Sequence, residues 1–307
     1  MPDSTYVLIT AAHNEEAFIE KAIRSILGQL AMPCKWIIVS DASTDRTEEI
    51  VTKYANENAF IELIRVGKVH RHDFAAKAHA MRAGYEYLKN LEFAFVGILD
   101  ADVSLEPDYY SQLLDKFSAS PRLGLSGGFI YESTGEDFSS RITNTPRSVA
   151  GAAQFFRREC FEEIGGILPL RFGGEDSCAE VMSRMNGWHV HSIAELRVFH
   201  HRPMGGASGW IRGTFRQGRM DHSLGIHPLF EIGRLMLRVK TPPFVLYAGV
   251  RLAGFCFSYI TAEGRMVSPD FMKFLRQEET ERIQQLFRKR VFFKQGTTAR
   301  EDHDLQG

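Results

Sequence analysis

The chain has 307 residues, 44% of them hydrophobic and 24% charged, which is enough apolar content for a packed core and argues against wholesale disorder. The length suits one large α/β domain with an appendage, or two modest domains. The formal net charge of −1 gives no sign of a general nucleic-acid binder, so an anionic ligand must be held by local charges. Cys34, Cys160, Cys178 and Cys256 stand far apart with no CxxC pair, which argues against a zinc cluster or a disulfide framework and for reduced thiols in a cytosolic protein. Met1 to Thr5 carries no basic region followed by an apolar core, so no signal peptide is expected.

Tyr6 to Ala12 is a short apolar run rich in β-formers and reads as a first strand. Glu15 to Leu30 places Ile19, Ile23, Ile26, Leu27 and Leu30 at helical spacing. Trp36 to Ser40 reads as a second buried strand. A helix follows from Asp45, with Ile50, Val51 and Tyr54 on its inner face. Ile61 to Val66 is a third strand, Phe74 to Leu88 a helix, and Phe93 to Leu99 a fourth strand. Near-continuous apolar strands alternating with helices predict a mostly parallel sheet covered on both faces. Such sheets bind ligands beyond the carboxyl ends of their strands.

Further along, Leu123 to Tyr131 reads as a strand broken by Gly127-Gly128. Arg157 to Ile164 and Glu175 to Met185 read as helices, and Trp188 to His200 as one or two strands. The glycines and arginines of Pro203 to Gly218 predict a loop or mobile segment, and the remainder reads as helical.

Three acidic motifs fall where that sheet would bind its ligand. Asp41-Ala42-Ser43-Thr44-Asp45 follows the second strand, Asp100-Ala101-Asp102 follows the fourth, and Gly173-Gly174-Glu175-Asp176 opens a helix. Carboxylates at i and i+2 of a strand end can aim at one point, where a divalent cation relieves their repulsion. Hard oxygen ligands favour Mg²⁺ or Mn²⁺, ions that commonly take one or two carboxylates plus substrate phosphates. Alone, the same pair is as readily a solvated turn. Asp45 could simply cap its helix and Asp41 brace its turn. Glu175 and Asp176 suit a helix N-terminus electrostatically, and equally suit a general base that takes a hydroxyl proton.

In order and rough spacing, Ala11-Ala12-His13-Asn14-Glu15-Glu16, the Asp41 motif, Asp100-Ala101-Asp102 and Glu175-Asp176 resemble the family 2 glycosyltransferases of the GT-A fold. The resemblance covers about residues 5 to 202. It implies a GT-A catalytic domain over 1–205, with a nucleotide-binding half at about 1–105 and an acceptor half at about 106–205. A helical extension follows over 206–307.

The resemblance also implies roles. Ala11, His13 and Glu15 would line the nucleobase pocket, His13 standing where the family often has tyrosine, and Asp41 would contact base or ribose. Lys77 lies in a stretch similar to the family's Gly-Lys-x-x-Ala-Leu-Asn-x-Gly, with Ala76 for the glycine and Arg82 for the asparagine. Asp100 and Asp102 would bind the donor ribose and the metal, Asp102 being the better metal ligand. Asp176 would be the catalytic base and Glu175 would shape the acceptor site. A late histidine often joins the metal in GT-A enzymes. His200 shares the parity of Val198 and is the expected ligand, with His201 the alternative.

Arg157 and Arg158 resemble the segment that precedes the catalytic acids, or else only cover surface. Arg212, Arg216 and Arg219 would suit a basic segment closing over the diphosphate. Gln217-Gly218-Arg219-Met220 does not match the Gln-x-x-Arg-Trp motif of processive members, so processive synthesis is not expected.

The activity implied is inverting transfer of a sugar from a nucleotide-diphosphate sugar to a hydroxyl acceptor, in cell-surface polysaccharide or glycolipid synthesis, with Mn²⁺ or Mg²⁺ as cofactor. Two other readings use similar parts: a sugar-nucleotide nucleotidyltransferase, and a non-catalytic sugar-nucleotide binding module. The first lacks a basic glycine-rich loop after the first strand, where Ala11 to Glu16 is acidic. The second leaves Glu175-Asp176 without a task. A dinucleotide dehydrogenase is poorly supported, because no GxGxxG follows the first strand.

Phe244 to Ala262 is mostly apolar but carries Arg251 near its centre, which would cost about 2.5–3.5 kcal/mol in a bilayer. A buried or interfacial helix is therefore expected, with Arg234, Arg238 and Lys240 facing an anionic membrane surface. Phe271 to Phe293 suits a surface or oligomer helix, and the chain from Thr297 reads as a polar tail. These features predict a cytoplasmic protein at the cytoplasmic face of the membrane, with a lipid-linked saccharide acceptor and a second copy of the chain among its partners.

Overall fold

The computed structural model describes residues 4–67, 75–135, 137–141, 143–202, 209–238 and 244–284. The chain divides into two compact units, Met1–Trp210 and Ile211–Gly307.

The first unit opens with β1 (Tyr6–Ala12), α1 (Ile19–Leu27), β2 (Lys35–Asp41), α2 (Thr47–Glu57), β3 (Ile61–Val66), α3 (Ala75–Leu88) and β4 (Phe95–Leu99). This is the predicted alternation, and the four strands pair in parallel, with Leu8 level with both Trp36 and Gly97. α1 begins at Ile19 rather than Glu15 because the backbone N–H groups of Glu15 and Glu16 donate to Thr47 Oγ1 and Asp45 Oδ2 in the neighbouring loop. Residue 74 of the expected third helix lies outside the described residues.

The unit continues with β5 (Val103–Leu105), α4 (Tyr109–Ala119), β6 (Leu123–Ser133), β7 (Phe138–Ser140), β8 (Ala153–Arg157), α5 (Arg158–Glu163), α6 (Glu175–Met185) and β9 (His189–His200). The sheet runs β3-β2-β1-β4-β8-β6-β9-β5, with β7 added beside β6. β8 is antiparallel to β4 and β6, β9 is parallel to β6, and β5 is antiparallel to β9. The second half of the sheet is therefore mixed. The helix expected from Arg157 starts at Arg158, because Arg157 ends β8, a strand of five residues too short to show a period.

Alternation along each central strand feeds two cores. Tyr6 and Leu8 of β1, and Trp36 and Ile38 of β2, face a cluster completed by Ile19, Ile23 and Ile26 of α1 and by Tyr109, Tyr110, Leu113 and Phe117 of α4. Val7, Ile9, Ile37 and Val39 face the other, completed by Ala78 and Met81 of α3 and Phe161 of α5. Both faces of the sheet are thus covered.

The second unit holds α7 (Trp210–Ser223), α8 (Pro228–Arg238) and α9 (Phe244–Ile260), with a further helical stretch over 269–284. α7 replaces most of the loop expected over Pro203 to Gly218; residues 203–208 lie outside the described residues. The glycine that suggested a loop is a helix contact. A Cβ on Gly218 would lie 1.9 Å from the Arg251 carbonyl oxygen, and one on Gly254 2.0 Å from that of Phe215. Arg212, Arg216 and Arg219 therefore sit on a helix, and Arg219 pairs with Glu263. Arg234, expected to face a membrane, instead donates to Asp221 (2.9 Å) and Glu231. Lys240 and residues 285–293 of the expected C-terminal helix lie outside the described residues. No helix among the described residues is long and apolar enough to cross a membrane.

Trp36 ties the two central strands through its side chain. It is fully buried, and its indole Nε1 donates to Thr10 Oγ1 at 3.0 Å. Trp36→Phe removes buried ring area and leaves that hydroxyl without its donor. It should destabilise the first unit by about 2–4 kcal/mol, measured by denaturant unfolding.

Candidate active site

Asp100 and Asp102 flank the turn between β4 and β5. The backbone fixes this turn on both sides: Asp100 N–H donates to the Ala152 carbonyl, and His201 N–H donates to the Asp102 carbonyl, each at 2.9 Å. The β5–β9 register sets Val103 opposite His200. His200 Nε2 consequently faces Asp102 Oδ2 at 3.5 Å, while its Nδ1 donates to Glu132 Oε2 at 2.9 Å. His201 turns the other way, with Nε2 2.8 Å from Ser104 Oγ. With its Nδ1 proton given to Glu132, His200 presents a lone pair to a carboxylate, and a positive charge belongs between them. Asp102 accordingly raises the pKa of His200. Burial pushes the Asp102 carboxyl up, but His200 and Arg202 outweigh it and hold it at about 2.

Asp102 and His200 form a two-donor set; among the described residues no group of three or more His, Cys, Asp or Glu side chains is arranged to hold a metal. Two protein donors fit a hard divalent cation that completes its shell with water and phosphate oxygens. The Glu132 carboxylate behind His200 is the orienting partner that metal-bound histidines characteristically have.

Lys77, on α3, meets Asp100 Oδ1 at 2.6 Å, an ion pair in which that buried oxygen takes no aligned hydrogen bond. Burial works to lower the Lys77 pKa, but Asp100, Glu175 and Asp176 hold it above its ordinary value. Desolvation raises Asp100 against the pull of Lys77, and raises Glu175 likewise. One ammonium is thus shared by acids from two of the predicted motifs. Gly173 and Gly174 have φ of 85° and 91°, a left-handed turn that starts α6 with Glu175 and Asp176 in its first turn. Asp176 Oδ1 accepts from Ser177 N–H at 2.7 Å, and the side chain rests against Gly151, where a Cβ would lie 3.0 Å from that of Asp176.

The loops after β1 and β2 are stitched together. Asp45 Oδ1 accepts from the N–H and hydroxyl of Thr47, the first residue of α2, and Oδ2 accepts from Glu16 N–H, so Asp45 ties the start of α2 to the loop after β1, although the N-cap itself is Arg46. His13 Nδ1 donates to the Asp41 carbonyl at 2.6 Å, and Asn14 Oδ1 accepts from Thr44 N–H at 2.8 Å. Asn14 and Ala42 both adopt positive φ, 56° and 50°. Ala11 lies level with Val39, one turn of chain before His13. Glu15 reaches from this loop to Arg202, and burial lifts its carboxyl to about 7 despite that guanidinium.

The fold therefore brings Glu15, Lys77, Asp100, Asp102, Glu175 and Asp176 into one electrostatically coupled group with His200. Sequence reasoning missed Glu132, Arg141, Arg202, Gly151 and Glu180. Arg141 donates to Glu132 at 2.6 Å, and Glu180 accepts from Ser148 Oγ (2.9 Å) and Val149 N–H (2.8 Å), anchoring the loop before Gly151. None lies in a motif; only Arg202, beside the two histidines, carried a positional signal. Arg157 and Arg158 are structural. Arg157 donates to the Phe117 and Leu123 carbonyls, and Arg158 to those of Lys89 and Leu91.

A family model described as "Glycosyl transferase family 2" matches residues 7–175, more than half of the chain. The chain is similar to poly-beta-1,6-N-acetyl-D-glucosamine synthase of Staphylococcus aureus, 28% identical over 120 residues, which is 39% of this chain and 27% of that protein. The match thus spans about a quarter of that relative's length. Among solved structures, the chain resembles S. aureus TarS 1–349 in complex with UDP-GlcNAc (TM-score 0.54, 14% identity, 88% of this chain and 78% of that one). It also resembles the mannosyltransferase PcManGT from Pyrobaculum calidifontis in complex with GDP-Man and Mn²⁺ (TM-score 0.52, 19% identity, 94% and 84%). At these identities the structural likeness establishes the GT-A fold.

Glu180 makes a pH prediction. Burial raises its carboxyl from 4.5 to about 7, so folding favours the protonated form. Stability is then greatest below pH ~4.5 and is lost as pH rises toward 7, by on the order of 3 kcal/mol from this group. Glu180→Gln, which keeps an acceptor for Ser148 and Val149, should flatten that decline in unfolding measured across pH 4.5–7.5.

Proposed function

We propose, on the premise that this chain belongs to glycosyl transferase family 2, that it moves a sugar from a nucleotide-diphosphate sugar to a hydroxyl acceptor with inversion. The process served is cell-surface polysaccharide or glycolipid synthesis. The observation that carries the reading is the convergence of Asp100, Glu175 and Asp176 on Lys77, beside the Asp102–His200 pair. The polysaccharide synthase relative, and neighbours bound to UDP-GlcNAc or to GDP-Man and Mn²⁺, support the same substrate class.

Ala11, His13 and Glu15 line the base pocket, and Asp41 contacts base or ribose. Its carboxylate has no partner among the described residues, whereas both oxygens of Asp45 are spent. Asp100 keeps an acceptor for a ribose hydroxyl, and Lys77 neutralises phosphate charge. Asp102 and His200 would hold Mn²⁺ or Mg²⁺, which supplies positive charge to the leaving diphosphate. Asp176 removes the acceptor proton through Oδ2, its Oδ1 being held by Ser177, and Glu175 shapes the acceptor site. Direct displacement needs no covalent intermediate.

A peripheral membrane contact belongs to the same reading. Leu229, Ile232 and Met236 of α8 are exposed at i, i+3 and i+7, and Val245 and Leu246 of α9 are exposed as well. A lipid-linked saccharide would be met there.

A thermal-shift panel of UDP-, GDP-, dTDP- and CMP-linked sugars with and without Mn²⁺ should give one Mn²⁺-dependent stabiliser, lost in Asp102→Ala and kept in Asp176→Asn. With that donor, Asp176→Asn should cut transfer roughly 10²–10⁴-fold. Gly151→Ala, which shifts Asp176 by a few tenths of an ångström, should cut kcat about tenfold with KM for the donor unchanged. Near-normal turnover in Asp176→Asn refutes the base. Co-sedimentation with vesicles containing anionic lipid should fall severalfold in Leu229→Ser/Met236→Ser, and equal binding by that variant removes the membrane contact.

A further inference from the structure

We infer that Arg202 is the internal counter-cation of the Asp102 carboxylate, so that a divalent cation and a nucleoside diphosphate bind this chain as one coupled event. The inference rests on the metal reading of Asp102 and His200 given above.

Three contacts fix the guanidinium. Nε donates to Asp102 Oδ2 at 2.9 Å, an Nη donates to Glu15 Oε2, and the group lies 4.9 Å from the centre of the Phe18 ring. Asp102 Oδ2 is the same oxygen that faces His200 Nε2 at 3.5 Å. One carboxylate oxygen therefore serves Arg202 and is also the donor a divalent cation would need.

A doubly charged ion at that oxygen repels an adjacent guanidinium, so its binding requires Arg202 to loosen from Asp102. Arg202 is built to do so. Its side chain is 41% exposed, against 12% for Asp102, and it stands two residues beyond the end of β9 instead of within it. Lys77 is placed differently, since its ammonium is engaged by Asp100 and not by Asp102.

What the displaced guanidinium gains decides the coupling. Bare metal ion offers it only Glu15 and water. A diphosphate arriving with the ion supplies anionic oxygens that a planar guanidinium pairs with well. Metal alone should therefore bind against the Arg202–Asp102 contact, and metal with diphosphate should not. Linkage makes the effect reciprocal, and couplings of this kind commonly span about 5–150-fold.

The test is Mn²⁺ titration of the full chain, followed by the electron paramagnetic resonance signal of the free aquo ion, with and without UDP or GDP. In the wild type the preferred nucleotide should tighten Mn²⁺ binding at least about fivefold. Arg202→Gln and Arg202→Ala should each bind Mn²⁺ alone about fivefold more tightly than the wild type and lose most of the nucleotide effect. Arg202→Lys, which keeps the charge, should stay nearer the wild type. A parallel thermal melt shows that each variant is folded. Asp102→Asn separates the two ideas. If it binds Mn²⁺ like the wild type, the metal reading falls and takes this inference with it. If it loses Mn²⁺ while both neutral Arg202 variants bind no more tightly than the wild type, only the role of Arg202 is overturned.

Discussion

Carboxylates gathered at the ends of strands repel one another, and here the chain supplies the cations that let them gather. Two unit charges ~5 Å apart repel by roughly 3 kcal/mol at an effective dielectric near 20. Four acids of the site have a basic partner: Asp100 meets Lys77, Asp102 meets His200 and Arg202, Glu15 meets Arg202, and Glu132 meets Arg141 nine residues on. The Arg202–Glu15 contact closes across 187 residues. Neutralisation is therefore a property of the finished fold. Glu175 is the least answered of the acids, and its raised pKa follows from burial beside Asp176 with only part of one ammonium to offset it.

The two halves of the sheet contribute differently. In the parallel half the carboxylates Asp41 and Asp100 stand at the carboxyl ends of β2 and β4, on the same edge of the sheet. The mixed half supplies what comes back. β8 runs against β4 and brings Gly151 and Ala152 to the Asp100 turn, and β5 runs against β9 and brings His200 to Asp102. A wholly parallel sheet would need a helical crossover between each pair of these strands and could not set such residues side by side within a short hairpin-like register. Asp41 and Asp100 thus come from the parallel half, and Gly151, Ala152 and His200 come to the site from the mixed half.

That division also explains what was legible in the sequence. β1 to β4 announce themselves because a strand buried on both faces is a continuous apolar run, and their helices because one face repeats at 3.6 residues. The motifs at their ends could be placed on one edge of a sheet from topology alone. β5 and β8, at three and five residues, are too short to show a period, and it is their pairing that makes Arg202 and Gly151 part of the site, while the β6–β9 register sets Glu132 opposite His200. Asp45 shows the opposite limit. Its residue type fits a ligand contact and a structural brace equally, and only the hydrogen bonds from Thr47 and Glu16 decide for the brace. Gly218 misled for a related reason. Glycine marks a loop by its backbone freedom, but it marks a helix contact by its lack of a side chain, and sequence spacing does not distinguish the two.

Arg251 belongs to the same argument on a second scale. In an otherwise apolar helix it counts against a membrane span, and the fold of the second unit shows what it does instead. It is 5% exposed, donates to Asp221 through Nε and Nη at 2.8 Å each, and approaches Glu231 at 3.4 Å, while Arg234 meets the same two acids. Tyr247 and Gln217 take up the remaining donor. Two arginines and two carboxylates from α7, α8 and α9 thus form a neutral buried group. Such a group adds little net stability over apolar packing of the same volume, but losing one member strands a charge in the interior. Gly218 and Gly254 let α7 and α9 meet backbone to backbone beside this group. The ion group turns the polar sides of α8 and α9 inward, which leaves Leu229, Met236, Val245 and Leu246 on the outside. The interior beside that ion group is apolar, with Leu224, Ile226, Leu235, Phe255 and Phe271 buried, so the exposed apolar side chains add to an ordinary core and do not replace it.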